Sequence, residues 1–164
     1  MEVYLVRHGL AGERGTYTDD RQRPLTNKGR QKTTNVAERL LTIGVTFDLI
    51  LSSPLVRASQ TAEILQQQGL SSTIKTYSPL QPDGEIEEWL QWLQQWQPEH
   101  PDSTVALVGH QPDLGNWAER LIWGTVKGQL VVKKAGVIGL SLPSIGTPIG
   151  RSTLFLLTSP KWLV

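Results

Sequence analysis

The chain has 164 residues, no cysteine, and 16 Lys plus Arg against 15 Asp plus Glu, a formal net charge of +1. That length can bury one core without staples and leads us to expect a single domain over residues 1–164, with disulfides excluded. The balanced charge offers no global field for nucleic acid or a membrane surface. With neither a cleavable leader pattern nor an apolar run near the ~18 residues of a membrane span, a cytoplasmic protein is expected.

Val3 to Val6 is a short apolar, β-rich run that ends on Arg7-His8-Gly9. Thr26 is positioned to cap a helix reaching about Leu41, with Val36, Ala37, Leu40 and Leu41 at helical spacing. Phe47 to Leu51 is a second strand. Ser53-Pro54 then reads as an N-cap and first helical residue, and Leu55, Ala58, Ala62 and Leu65 supply that helix's apolar face.

Thr73 to Tyr77 is a third strand, followed by a helix over Glu85 to Trp96 with Trp89, Trp92, Leu93 and Trp96 on one side. This tryptophan stripe is read as core-facing, with an exposed docking surface as the alternative. Thr104 to Val108 is a fourth strand that runs into Gly109-His110, and Pro112 to Trp123 is a fourth helix. His100, in a Pro-bounded loop, reads as an exposed bystander.

The last strands, Val137 to Leu142 and Thr153 to Thr158, are joined by Pro143 to Gly150, too short for a helical crossover. The pattern predicts a three-layer α/β/α sandwich with a mainly parallel central sheet and an antiparallel C-terminal strand pair.

Ligands of open α/β sheets bind at the carboxyl ends of strands, where His8 and His110 both fall. Arg57 lies in the first turn of the helix after the second strand, near the same rim, and that helix N-terminus adds N–H donors. Arg7, Arg57 and a protonated His110 around His8 form a set that would embrace a phosphoryl group or a similar oxyanion. Two arginines beside the histidines would repel a cation, and no zinc spacing is present, so neither metal nor cofactor is expected. Gly9 would let the backbone approach the phosphate or adopt positive φ.

Taken together, LVRHG, PLTNKG, SSPLVRASQTA and VGHQP resemble the histidine phosphatase superfamily, which includes the cofactor-dependent phosphoglycerate mutases. The short length, the DRQRPLT segment at Asp20 to Thr26 and the final TSPKWL are similar to its SixA-type phosphohistidine phosphatases. The resemblance implies that His8 is the nucleophile, that Arg7, Arg57 and His110 bind the phosphoryl group, and that Arg23 leans over the same pocket. The ring of His8 must then be oriented with its far nitrogen as a donor, for example to a carbonyl near Gly9.

Larger relatives place a Glu after the third strand as general acid. Here that spot falls near Gln81 or Pro82, and no acid is evident. Asp20, Asp83, Glu85 and Asp113 are the neighbouring candidates, with helix capping or dipole complementation the preferred reading of Glu85 and Asp113. A phosphorus–nitrogen bond depends less on an enzymatic acid than a phosphate ester does. The expected substrate is therefore a phosphohistidine-bearing protein such as a phosphotransfer domain, reached through a shallow, open site. Phosphatase action on small phosphate esters or phosphorylated sugars is the alternative. A binding module without turnover would need only the arginines, and His8 argues against it.

Overall fold

Strand residues alternate between two buried faces, which is why these short runs of Val, Leu and Ile form a sheet covered on both sides. The computed structural model describes residues 1–164. Its strands are β1 (Glu2–Arg7), β2 (Leu49–Ser52), β3 (Ile74–Thr76), β4 (Thr104–Gly109), β5 (Val137–Ser141) and β6 (Thr153–Thr158). The helices are α1 (Asn27–Thr42), α2 (Val56–Gln67), α3 (Ile86–Trp96), α4 (Asp113–Trp123) and the single turn α5 (Pro160–Leu163).

The sheet order is β3-β2-β4-β1-β5-β6. Pairs β3–β2, β2–β4 and β4–β1 are parallel, whereas β1–β5 and β5–β6 are antiparallel. The fold is thus an α/β/α sandwich with a mainly parallel sheet and an antiparallel C-terminal pair, as the sequence pattern predicts. Leu5, Leu51, Leu107 and Ile138 face α3 and α4, while Val6, Ile50, Ala106 and Val137 face α1 and α2. No helix is long and apolar enough to cross a membrane.

Thr26 caps α1 as expected, its side chain accepting from Gly29 N–H at 2.9 Å. The expected Ser53-Pro54 helix start is displaced, because α2 begins at Val56 with Leu55 at the N-cap. Ser53 still extends the carboxyl end of β2: its N–H donates to Val108 O at 3.0 Å, continuing the β2–β4 ladder. Its hydroxyl is used elsewhere, in the site described below.

The tryptophan stripe faces the core. Trp89 is fully buried, and Trp92 and Trp96 are half-buried against the same cluster, which removes the docking-surface reading. Trp96 stacks on Trp92 at 5.2 Å and on His100 at 3.8 Å between ring centroids. His100 is therefore packed, not exposed, and its Nδ1 lies 3.0 Å from the Trp96 carbonyl.

Candidate active site

The β1–β4 pairing decides where the two histidines meet. Arg7 is in register with Gly109, and His8 N–H donates to Gly109 O at 3.1 Å, so both strands release a histidine at the same level of the sheet. The rings of His8 and His110 lie 5.2 Å apart, and both side chains are buried.

Each ring is held by one nitrogen. His8 Nδ1 is 2.7 Å from the Gly9 carbonyl. A carbonyl only accepts, so Nδ1 carries the proton and Nε2 keeps its lone pair. This is the orientation anticipated from the sequence. His110 Nε2 is 2.8 Å from Ser53 Oγ, which also accepts from Leu55 N–H at 3.3 Å. When the Ser53 hydroxyl donates to Nε2, His110 carries its proton on Nδ1, which has no protein partner.

The charge expected on His110 is not present in the free protein. Burial, then Arg57 and Arg7, push its pKa down to about 3, so it is a neutral donor there. His8 is also brought to about 3, chiefly by burial, with His110, Arg57 and Arg7 adding to the effect. A neutral imidazole is the form that can attack an electrophile.

Three guanidinium groups converge on this end of the sheet. Arg7 donates through Nη1 to Val132 O at 2.8 Å, and its Nε is buried without a partner. Arg57, 3 % exposed, also has a partnerless Nε. Burial lowers the pKa of both, with Arg14 acting further on Arg7 and Arg23 on Arg57. Buried, mutually repelling cations with free donors are the complement of an oxyanion.

Asp20 already answers part of that demand. Its carboxylate accepts from Arg23 Nε at 2.8 Å and lies 3.2 Å from Arg57 Nη2, while its backbone carbonyl accepts from Arg57 Nη1 at 2.9 Å. Arg23 also donates to Gly12 O at 3.0 Å. The bond from Arg23, with the charges of Arg57 and Arg23, holds the Asp20 carboxyl below its ordinary range. Asp20 is therefore an ionised internal anion in the free protein and no reservoir of a proton.

A cleft of about 580 Å³ opens above, with Arg7, His8, Arg23, Arg14 and Lys134 in its wall. None of the four acid candidates lines it, and Arg57 and His110 lie beneath its wall. Asp113, in the first turn of α4, accepts from Asp83 N–H at 3.1 Å, and burial raises its carboxyl pKa. Glu85 occupies the N-cap of α3 but makes no side-chain capping bond. Gly9 has no positive φ, and a Cβ there would sit 2.4 Å from Thr33 Oγ1. It is a close-packing position against α1, with its N–H donated to Thr61 Oγ1 at 3.0 Å.

Two supporting residues escape a reading of the sequence. Ser53 anchors the His110 ring through Nε2, although its SP dipeptide reads as a helix start. Glu119 on α4 is fully buried, and its carboxylate accepts from the backbone N–H groups of Lys127, Gly128, Gln129 and Leu130. Burial alone would raise its pKa, and those four donors override it and leave the pKa lowered. Gln111 continues the clasp, donating to Leu130 O at 3.1 Å and accepting from Val132 N–H at 3.2 Å. The clasped loop ends in the carbonyl that orients Arg7. The visible signal is Gly115 in the first turn of α4, where a Cβ would meet the Leu130 carbonyl at 2.0 Å.

The family model of the histidine phosphatase superfamily (branch 1) matches residues 3–89. An uncharacterized protein of Picosynechococcus sp. is 47% identical across 100% of this chain and 99% of its own. The chain belongs to the histidine phosphatase superfamily. It is similar to the serine/threonine-protein phosphatase Pgam5 of Drosophila grimshawi, 40% identical over 38% of this chain and 21% of the other. It is also similar to the solved protein histidine phosphatase SixA complexed with tungstate. That match has 26% identity, covers 100% of both chains and has a TM-score of 0.87. Membership in this superfamily supports a phosphatase.

Proposed function

We propose that the protein hydrolyses phosphate from a phosphohistidine carried on a signalling protein, through a covalent intermediate on His8 and without a metal. The observation that carries this reading is the His8 ring: neutral, anchored through Nδ1–H, with a bare Nε2 beside unpartnered donors of Arg7, Arg57 and His110. The likeness to a SixA structure holding tungstate, an oxyanion, adds support.

In the first step the Nε2 lone pair of His8 forms a bond to phosphorus as the substrate's phosphorus–nitrogen bond breaks. A substrate ring protonated on its other nitrogen leaves as neutral imidazole, so no enzymatic acid is required. The phosphorylated His8 ring keeps Nδ1–H and is cationic, and the Gly9 carbonyl stabilises that charge. Arg7, Arg57 and the Nδ1–H of His110 meet the equatorial oxygens, displacing the Asp20 carboxylate from Arg57. Water then attacks phosphorus, the bond to Nε2 breaks, and both protons of the water leave with dihydrogen phosphate.

Cleavage of a small phosphate ester is the second reading, and its leaving oxygen would need an acid; Asp113, outside the cleft wall but with its carboxyl pKa raised by burial, is the residue to test. Phosphate release from a phosphohistidine-bearing phosphotransfer domain is to be measured beside release from an aryl phosphate, with wild type, His8→Ala and Asp113→Asn. Preference for the phosphohistidine protein, lost in His8→Ala and kept in Asp113→Asn, is the expected result. Preference for the ester with strong dependence on Asp113 would overturn it.

A further inference from the structure

Beside the catalytic cleft lies a chain of positive charge that the chemistry at His8 does not use. The cleft shares Arg7 and Lys134 with a neighbouring hollow of about 400 Å³, lined also by Lys32, Lys133, Pro160 and Lys161. That hollow shares Lys32, Pro160 and Lys161 with a third, of about 460 Å³, which adds Lys28. The groove thus runs from the catalytic rim over the N-terminal half of α1 to α5. It gathers Lys28, Lys32, Lys133, Lys134 and Lys161, leaving only Lys75 and Lys127 elsewhere in the chain.

None of these lysines makes an ion pair, and the carboxylate nearest the third hollow is the terminal one of Val164. The ion pairs of the molecule are Arg21–Asp19, Arg23–Asp20, Arg57–Asp20 and Arg120–Glu87. No Asp or Glu lines the second or third hollow, and Glu13 is the sole carboxylate in the wall of the first. In a protein of net charge +1 this is a local concentration of one sign. Lys134 feels it: burial and then the charges of Arg7, Arg23 and Arg14 lower its pKa.

The geometry points to this groove as the docking site for an acidic segment of the phosphorylated protein, seated so that Asp or Glu side chains beside the phosphorylated residue meet the lysines. This rests on the phosphoprotein reading above and narrows it to partners that are acidic around the scissile phosphate. Three features favour a protein over a small molecule. The charges extend across three hollows, more than a single ester would span. The middle hollow has Pro160 as its one apolar lining residue and so no wall to seat a sugar or aryl group. At the far end Trp162 is 78% exposed beside Lys161, an apolar handle suited to a protein surface.

The test uses the full chain and two pairs of peptides, one pair carrying phosphohistidine and the other phosphotyrosine, an aryl ester. Within each pair the phosphorylated residue is flanked by glutamates or by alanines. The variant is Lys28→Glu/Lys32→Glu/Lys161→Glu, whose residues lie outside the wall of the catalytic cleft. Wild type is expected to favour the acidic member of a pair by about tenfold in kcat/KM at low ionic strength, with the preference shrinking as salt rises. The triple variant is expected to lose the preference while its rate on a small aryl phosphate stays unchanged.

Equal rates on both members, or a preference that survives the triple reversal, would overturn the docking site. So would failure to turn over any peptide by a protein that cleaves the small ester. Cleavage of phosphotyrosine but not phosphohistidine peptides, with the acidic preference intact, would instead refute the phosphohistidine substrate and uphold the groove.

Discussion

Replacing Glu119 by Gln keeps the size of the side chain and removes half of its accepting capacity. The wild-type carboxylate takes two backbone N–H groups on each oxygen, from Lys127 and Gly128 on one side and from Gln129 and Leu130 on the other. An amide turns one pair of donors against an NH2 group. Two buried N–H groups left without acceptors cost roughly 1–3 kcal/mol each, and relaxation of the loop toward water reduces the sum to about 2–4 kcal/mol. The same relaxation frees the Val132 carbonyl that holds Arg7 Nη1 at 2.8 Å.

A guanidinium displaced from its phosphoryl contact lowers kcat/KM by about tenfold to a hundredfold. Urea unfolding reads the first quantity. Turnover of an aryl phosphate reads the second, under conditions where the variant stays folded. The decisive comparison is a cycle with Arg7→Ala. If Glu119 works through Arg7, Glu119→Gln slows wild type but adds little in the Arg7→Ala background. Lost stability with full activity, or losses that simply add, would refute the reasoning.

The two depressed histidines make stability depend on pH. Both are near 3 in the folded chain against about 6.5 when unfolded, so the unfolded chain takes up protons first. Stability is full above pH 6.5 and falls as pH drops toward 3, by up to about 1.4 kcal/mol per pH unit for each histidine. The slope of the urea midpoint between pH 4 and 6 should lessen in His8→Ala, and an unchanged slope would contradict the buried neutral ring. Asp20→Asn removes the internal anion on Arg23 and Arg57. Because that side chain is 47% exposed, we expect only about threefold tighter tungstate binding by calorimetry, and weaker binding would show that Asp20 organises the arginines instead of competing for them.

The layered sheet was legible because alternating apolar residues and short loops leave few topologies, and the meeting of His8 with His110 followed once two apolar strands ended in Arg-His and Gly-His. What escaped depends on contacts between distant segments. Ser53-Pro54 carries a helix-start pattern, yet the Ser53 backbone is claimed by β4 and its hydroxyl by His110. Asp20 reads as a free acid until the fold sets Arg57 against it. Glu119 looks like the solvated face of an amphipathic helix, and only a loop ten residues on makes it a buried acceptor. The state of His110 was misjudged for a related reason, since the same arginines that mark an anion site also suppress its protonation.

The central claim is that phosphate passes through His8, and the direct measurement is to trap it. Rapid alkaline quenching during turnover of a labelled phosphohistidine substrate, followed by mass mapping, should find an alkali-stable, acid-labile phosphate on His8, formed at least as fast as phosphate is released. His8→Ala should neither carry the label nor turn over. Steady turnover with no label on His8, or turnover that persists in His8→Ala, would contradict the account.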